Sequence, residues 1–282
     1  MRDHESGTRR TRHGRFAAIA CAAFVVASLM AMIAPALHAA DPALPSGDAV
    51  IDKSIEASGG LAALERVHSR KTTGSMEIPS IGLKASALEY AELPDRSYVL
   101  VASDQLGKIE SGSTGGLYWE NTQMTGPRIK TGEERALAER SSFNASLHWR
   151  DFYKDATTAG IDTIDGRPCY RVVLTPKEGK PETQWYDMGN WQVVKQSMTI
   201  NSPMGDVPMD IFPSDYRSVE GILMPFRVRQ VLMGGMQEML FATDSVWFNV
   251  AIPDSVFAVP PAIQALLEKK PAEDAAPAPA AK

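Results

Sequence analysis

Cysteine and histidine are scarce, with two cysteines and five histidines among 282 residues. Cys21 lies in an apolar N-terminal run, so removal of that run would leave Cys169 alone and exclude an intramolecular disulfide. Within the strand-like stretch RPCYRVVLTP we expect Cys169 to be an inert, packed thiol, with pairing to a second chain as the alternative. Neither His68 nor His148 has a second histidine or a cysteine at ligand spacing. The sequence therefore predicts no metal site and no cofactor.

Catalytic signatures are also missing. The sequence contains no G-x-S-x-G elbow, no Walker loop and no G-x-G-x-x-G after a strand. Carboxylates such as Glu89, Asp187 and Asp210 could in principle do acid–base work, but their spacing does not pair them. Solvated strand positions explain them better, so we expect a binding protein and not an enzyme.

Basic residues are in deficit. Five of the 29 Lys and Arg residues lie before residue 41, but only two of the 34 Asp and Glu residues do. The formal charge of residues 41–282 is therefore near minus eight. This balance argues against nucleic acid as a partner and against electrostatic docking on anionic lipid head groups.

The two ends have the composition of segments outside the fold. Residues 1–40 combine an arginine-rich start, an uncharged run from Phe16 to Leu37 and small residues around Ala39 and Ala40. This order is typical of a signal peptide, although the run is also long enough to remain as a membrane anchor. At the other end, residues 268–282 are rich in Ala and Pro with alternating charges, which predicts a disordered tail.

Between these ends, residues 41–267 have the length of one domain. Ser46–Val67 shows helical spacing interrupted by Gly59 and Gly60, and from Lys71 onward the apolar period changes to two. The alternation predicts an antiparallel sheet, with SGSTGG at 111–116 as a turn. It stops once, over Glu133–Asp155, where we expect one or two helices. IPDSVFAVP is predicted to close the domain as an extended segment.

Methionine is concentrated in the second half of the chain. Eight of the ten methionines after residue 40 lie beyond Asp187, several on apolar strand faces such as Val194–Met198–Ile200 and Ile222–Met224–Phe226. Methionine fills gaps in ordinary cores, and it also lines surfaces that accept varied apolar shapes. The pattern alone leaves a solid core and a soft binding pocket equally open.

The order of several stretches resembles the LolA-like superfamily, periplasmic proteins of the outer-membrane lipoprotein-sorting type. The resemblance runs from Ala57 to Pro260 and is carried by ASGGLAALERV, RKTTGSMEIP, YAELPDRSYVLV, GGLYWENTQMTGP, IDGRPCYRVVLTPKEG, PETQWYDMGNWQVVKQ, SDYRSVEGILMPFRVRQ and VWFNVAIPDSVFAVP. An arginine important to the lipoprotein chaperone cannot be placed by motif; Arg66, Arg96, Arg128 and Arg135 are the candidates.

The resemblance implies a mainly β (α+β) fold. We expect an unclosed antiparallel β-barrel of about ten or eleven strands, with an N-terminal helix and a helical lid insertion over an apolar cavity. A helix packed permanently on the sheet is the alternative for the insertion. The residues expected to line the cavity or lid are Phe143, Leu147, Trp149, Phe152, Val194, Met198, Met209, Ile211, Met224 and Phe226.

The function implied is that of a periplasmic carrier or binding protein for a lipid or the acyl chain of a lipoprotein. Its partners would be a lipid or lipidated protein and a membrane-protein donor or acceptor, and we expect a monomer. Two alternatives use the same fold: an envelope sensor or interaction module without transport, and a small-molecule enzyme.

Overall fold

The computed structural model describes residues 43–143, 145–202 and 205–273, with the side chains of Ser202 and of residues 270–273 left out. The predicted signal peptide or anchor at 1–40 lies outside the described residues. None of the helices within the described part of the chain is long and apolar enough to cross a bilayer.

The N-terminal helical region is built as its sequence predicts. Helix α1 (Gly47–Ala57) begins after Ser46, whose Oγ accepts a hydrogen bond from the Ala49 N–H at 3.2 Å and so satisfies a donor of the first turn. The positive φ angles of Gly59 and Gly60 end the run, because glycine tolerates this region of backbone space best. Helix α2 (Leu61–Glu65) follows.

Thirteen strands form one antiparallel sheet in the part of the chain that the structure describes. In the first half of the chain these are β1 (Ser69–Ile78), β2 (Leu83–Glu92), β3 (Arg96–Ser103), β4 (Gly107–Thr114), β5 (Leu117–Thr122) and β6 (Gly126–Ile129). In the second half they are β7 (Tyr153–Ile164), β8 (Arg167–Pro176), β9 (Glu182–Asp187), β10 (Val193–Ser202), β11 (Gly205–Val219), β12 (Ile222–Leu232) and β13 (Gln237–Phe248).

The strand order is β6-β5-β4-β3-β2-β1-β13-β12-β11-β10-β9-β8-β7. Within the described residues β6 and β7 do not pair with each other, so the sheet is unclosed, as predicted. The expected count of ten or eleven strands was too low.

The helical insertion connects the two edges of the sheet. The chain leaves β6 at one edge and enters β7 at the other through helix α3 (Gly132–Arg140), a 3-10 turn (Ala145–His148) and helix α4 (Trp149–Phe152). The helical prediction over Glu133–Asp155 is confirmed up to Phe152. Its last three residues belong to β7 instead, because Tyr153 already pairs with Pro176 of β8.

The C-terminal prediction needs correction. The segment expected to be extended contains a 3-10 turn (Asp254–Phe257), and helix α5 (Pro261–Glu273) follows it. Proline is well placed at the first helical position, and the side chain of Ile263 is fully buried. Helix α5 thus runs past Glu268, where the tail was predicted to begin; residues 274–282 lie outside the described residues.

Two apolar clusters lie in different parts of the sheet. One joins α1 and α4 to β7–β9 through Val50, Ile51, Trp149, Val172, Leu174 and neighbouring side chains. The other surrounds Leu83 and includes Met76, Ile78, Ala85 and Val101, from β1–β3. Cys169 is fully buried and its thiol donates to the Arg167 carbonyl at 3.3 Å, which confirms that it is packed.

Candidate functional site

A cavity of about 510 Å³ lies between the second half of the sheet and the helices that cross it. Strands β7–β12 form one wall, and α1, α3, α4 and the 3-10 turn between the last two form the other. Topology places α3 and α4 there, because the insertion has to travel from the edge strand β6 to the edge strand β7. We call this space the first pocket.

The sheet wall of the first pocket is lined by methionine and isoleucine. Met198 of β10 pairs directly with Met209 of β11, and both side chains line the pocket together with Ile200 and Ile211. Since paired residues of an antiparallel sheet share a face, this register gathers four flexible or branched apolar side chains in one area. The methionine pattern of the sequence therefore belongs in part to a pocket and not only to solid core.

A polar cluster lies at the side of the same pocket. The Arg140 Nε of α3 donates to Glu182 Oε1 of β9 at 2.5 Å, and both side chains are almost completely buried. The Tyr153 hydroxyl donates to Glu182 Oε2 at 3.0 Å, and the Gln196 Nε2 lies 3.4 Å from the same oxygen. One buried carboxylate thus joins the helical insertion to the sheet.

A second pocket, of about 370 Å³, adjoins the first. The two share five wall residues, which are Ser54, Ile55, Ser141, Ser146 and Val193. Its other walls come from α2, the start of β1, the loop after α3 and the start of β12. The two pockets form neighbouring compartments under one helical cover.

Six of the ten expected cavity residues line these pockets. Trp149, Met198, Met209 and Ile211 line the first, and Phe143 and Met224 line the second. Four line neither: Leu147 and Phe152 are half-buried in the insertion, Val194 is buried in the sheet, and Phe226 is buried beneath the Arg217 guanidinium.

The position of Val194 has a local cause. The pairing between β9 and β10 shifts between Val193 and Lys195, and an irregularity of this kind exchanges the faces of the strand. Val193 and Gln196 therefore line the pocket, whereas a strict alternation from Met198 would have placed Val194 there.

The arginines at the pockets are not those singled out from the sequence. Arg66, Arg96, Arg128 and Arg135 line neither pocket. Arg140 lines the first and Arg70 the second. The partners of these two are distant in sequence, Glu182 for Arg140 and Glu89 for Arg70, so no local motif could have revealed them.

The carboxylates considered for acid–base work each have a structural partner. Glu89 accepts from Arg70 and Asp210 pairs with Lys195 at 2.9 Å. Asp187 accepts from the Gly189 N–H at 2.7 Å and so closes the turn after β9. Among the residues that the structure describes, no group of three or more His, Cys, Asp or Glu side chains could hold a metal ion.

Partly buried tyrosines make the fold sensitive to alkaline pH. Burial, and then the neighbouring Glu182, raise the pKa of Tyr153; burial raises the pKa of Tyr98 from its ordinary 10.0 to about 12, assisted by its hydrogen bond to Glu110. The folded state thus favours the neutral phenols, and their contribution is present below pH 10 and lost as the pH rises towards 12.

We expect the free energy of unfolding, measured with urea, to fall as the pH rises from 10 to about 12. The variant Tyr98→Phe removes one titrating group and should show a smaller fall over the same range. A wild-type stability that stays level across this range would contradict the expectation.

Solved structures share this architecture at low sequence identity. No family model matches the chain, and no curated protein matches its sequence. A DUF1329 family protein from Desulfovibrio piger has a TM-score of 0.54 at 16% sequence identity. The superposed region covers 76% of this chain and 98% of the Desulfovibrio chain.

Two further structures have a similar fold. A domain described as an outer membrane lipoprotein-sorting protein from Vibrio parahaemolyticus has a TM-score of 0.54 at 10% identity, covering 75% of this chain and 97% of its own. A LolA superfamily protein from Nitrosomonas europaea has a TM-score of 0.51 at 12% identity, covering 77% and 99%. The predicted resemblance is confirmed at the level of the fold, which is LolA-like.

Proposed function

Starting from this LolA-like fold, we propose that the protein is a periplasmic carrier or binding protein for a lipid or for the acyl chain of a lipoprotein. The observation that carries the proposal is the methionine-lined first pocket, covered by the helical insertion and continuous in its walls with a second pocket. The names of the similar structures, lipoprotein-sorting and LolA superfamily, point in the same direction.

The size and lining of the first pocket fit this role. A volume of about 510 Å³ falls in the usual range of ligand pockets, which is roughly 300–1,000 Å³. Each methylene group that an acyl chain buries there contributes about 0.8 kcal/mol. Methionine side chains adapt to chains of different length and saturation, so the pocket would select for apolar chains as a class.

The helical insertion would act as the lid. Leu137 and Arg140 of α3, and Trp149 of α4, cover the sheet wall of the first pocket. Loading or release of a chain requires these helices to move away from the sheet. The contact between Arg140 and Glu182 is the polar connection that such a movement has to break.

A lid of this kind suits transfer between membranes. The carrier would receive its cargo from a membrane-protein donor and give it to an acceptor in the periplasm. Cargo moves in one direction if the affinities for it increase from donor to carrier to acceptor, because a ligand shifts such equilibria only through differences in affinity.

A charge inside the first pocket should weaken binding strongly. Met209→Lys introduces an ammonium group into the apolar wall, and its desolvation on chain binding costs several kcal/mol, so we expect affinity for a fluorescent fatty acid to fall by at least about tenfold. Met124→Lys is the matched control, since Met124 is 83% exposed. Fluorescence titration of both variants, with thermal unfolding to verify their folds, makes the comparison.

Native mass spectrometry of protein purified from a bacterial periplasm provides the direct test. We expect a co-purifying species with acyl chains, and its loss in Met209→Lys but not in Met124→Lys. A wild-type protein that carries no such species and binds no fluorescent fatty acid would refute the carrier function.

A further inference from the structure

Two neighbouring turns at one end of the sheet carry exposed apolar side chains. The turn between β1 and β2 contains Ile81, which is 64% exposed, and the turn between β12 and β13 contains Met233 and Met236, which are 42% and 79% exposed. Because β1 pairs antiparallel with both β2 and β13, the two turns lie side by side. We call residues 79–82 and 233–236 the apolar tips.

The turns at the opposite end of the sheet have a different character. In the part of the chain that the structure describes, none of the strand-to-strand turns at that end contains an exposed large apolar side chain. Asp95, Asp165 and Glu220 occupy three of them, whereas the apolar tips contain no charged residue. The two ends of the sheet thus differ in the polarity of their turns.

The geometry of the turns does not require apolar side chains. Met233 has a φ angle of +51°, in the left-handed region that asparagine and glycine adopt more readily than other residues. Small and polar residues are also the usual occupants of turns. Open space surrounds Gly82, Gly234 and Gly235, since a Cβ added there would meet no heavy atom within 4 Å. The tips therefore project into solvent, and turn chemistry alone does not explain their methionines.

The surroundings of the apolar tips fit a lipid bilayer. Exposed apolar patches mark contacts with proteins or membranes, and projecting turns without charge can enter the apolar layer between lipid head groups. Lys84 lies just behind one tip with its side chain 76% exposed, and its ammonium is 3.6 Å from Glu77. A lysine in this position can lay its alkyl stem along the apolar layer and keep its charge at the level of the lipid phosphates.

We propose that the apolar tips insert into the surface of a lipid bilayer and so hold the protein against a membrane with the strands pointing towards it. Ile81, Met233 and Met236 enter the apolar layer. None of these three residues lines the first or the second pocket, so the contact is separate from both. It is independent of the carrier function proposed above and of the identity of any cargo.

Apolar insertion makes binding largely independent of lipid charge, because its strength follows the apolar area that is buried. The formal charge near minus eight of residues 41–282 opposes attraction to anionic head groups. We therefore expect vesicles of phosphatidylcholine alone to bind the protein at least as tightly as vesicles that also contain phosphatidylglycerol.

The test is co-flotation of phosphatidylcholine vesicles with the protein purified from a bacterial periplasm. The double variant Met233→Asn/Met236→Asn removes two apolar side chains and places at 233 a residue that suits its φ angle. We expect its affinity for the vesicles to fall by about tenfold or more. Thermal unfolding verifies the fold of the variant.

Leu61→Asn is the matched control for the double variant. Leu61 is 50% exposed at the start of α2. The carbonyl of Ser58, just before this helix, accepts a hydrogen bond from the Leu223 N–H, which places the region at the start of β12 and away from the tips. Leu61→Asn should bind vesicles with the affinity of the wild type.

A local probe separates the tips from a membrane anchor retained at the N-terminus. Met236→Cys, labelled with an environment-sensitive dye, should gain fluorescence when vesicles are added, and Leu61→Cys with the same dye should not. Cys169 is fully buried and does not compete for the label in the folded protein. Wild-type protein treated in the same way corrects for any other reactive thiol.

The outcomes decide the proposal directly. Vesicle binding that is undetectable in the wild type, or unchanged in the double variant, would overturn it, and so would a dye at position 236 that does not respond to vesicles. A dimer that only the double variant dissociates, without vesicle binding, would assign the tips to contact between two copies of the chain and also overturn it. Fatty-acid affinity of the double variant should equal that of the wild type, so the carrier function is tested separately.

Discussion

Arg140→Met is expected to lower the free energy of unfolding by about 3–5 kcal/mol, the usual effect of removing one partner from a buried ion pair. The side chains of Arg140 and Glu182 are only 5% and 2% exposed. Without Arg140, the Glu182 carboxylate keeps hydrogen bonds from Tyr153 and Gln196 but has no positive charge nearby to offset its desolvation. Urea denaturation of the variant and the wild type measures the difference.

Two controls make this prediction specific. Arg150→Met removes an arginine whose partners Asp48 and Asp52 are about half exposed, and exposed pairs contribute only about 0–1 kcal/mol. The double variant Arg140→Met/Glu182→Leu removes both buried charges and should recover much of the loss. If Arg140→Met lowered the free energy of unfolding no more than Arg150→Met does, the Arg140–Glu182 pair would not be a buried connection between lid and sheet.

Leu83→Ala is expected to cost about 2–5 kcal/mol, the range for a leucine removed from a packed core. Leu83 is 2% exposed and lies at the start of β2, in the cluster with Met76, Ile78 and Val101. The surrounding strands are hydrogen-bonded on both sides, so they can collapse only partly into the space left by the side chain. Thermal or urea unfolding gives the size of the loss.

The neighbouring Ile81 provides the control for Leu83. It lies two positions earlier, on the turn between β1 and β2, and is 64% exposed, so Ile81→Ala should change stability by less than about 0.5 kcal/mol. Leu83 lines neither pocket, and fatty-acid affinity of the folded Leu83→Ala variant should equal that of the wild type. A loss of affinity would show that the two halves of the sheet are coupled.

Local patterns predicted the regular elements of this fold well. The helical period over Ser46–Val67 and the period of two after Lys71 correspond to α1, α2 and the meander from β1. Those periods are visible because one face of each element is buried and the other is solvated. Helix α5 was missed because Ala, Glu and Lys, read as a tail composition, are also good helix formers.

The details of the site depend on contacts that no local pattern contains. Glu182 meets Arg140 only because the insertion crosses the sheet. Gln192, just before β10, and Arg70 of β1 line the same pocket only because the fold brings these distant segments together. The face of the sheet on which the Val194 side chain lies depends on one register shift between β9 and β10. Methionine enrichment drew attention to Met198, Met209 and Met224, which line the pockets, but the polar groups beside them needed the three-dimensional arrangement.

The two edge strands of the sheet, β6 and β7, decide whether copies of the chain can pair edge to edge. Unpaired border strands can act as templates for fibrous growth. Strand β6 is four residues long, contains Pro127 and is flanked by α5. Strand β7 has two shifts in its pairing with β8, beside Tyr153 and Gly160, and its Lys154 and Asp155 side chains are exposed. Neither edge strand offers a straight, apolar ladder, so the folded chain gives no template for cross-β polymerisation, even at high protein concentration.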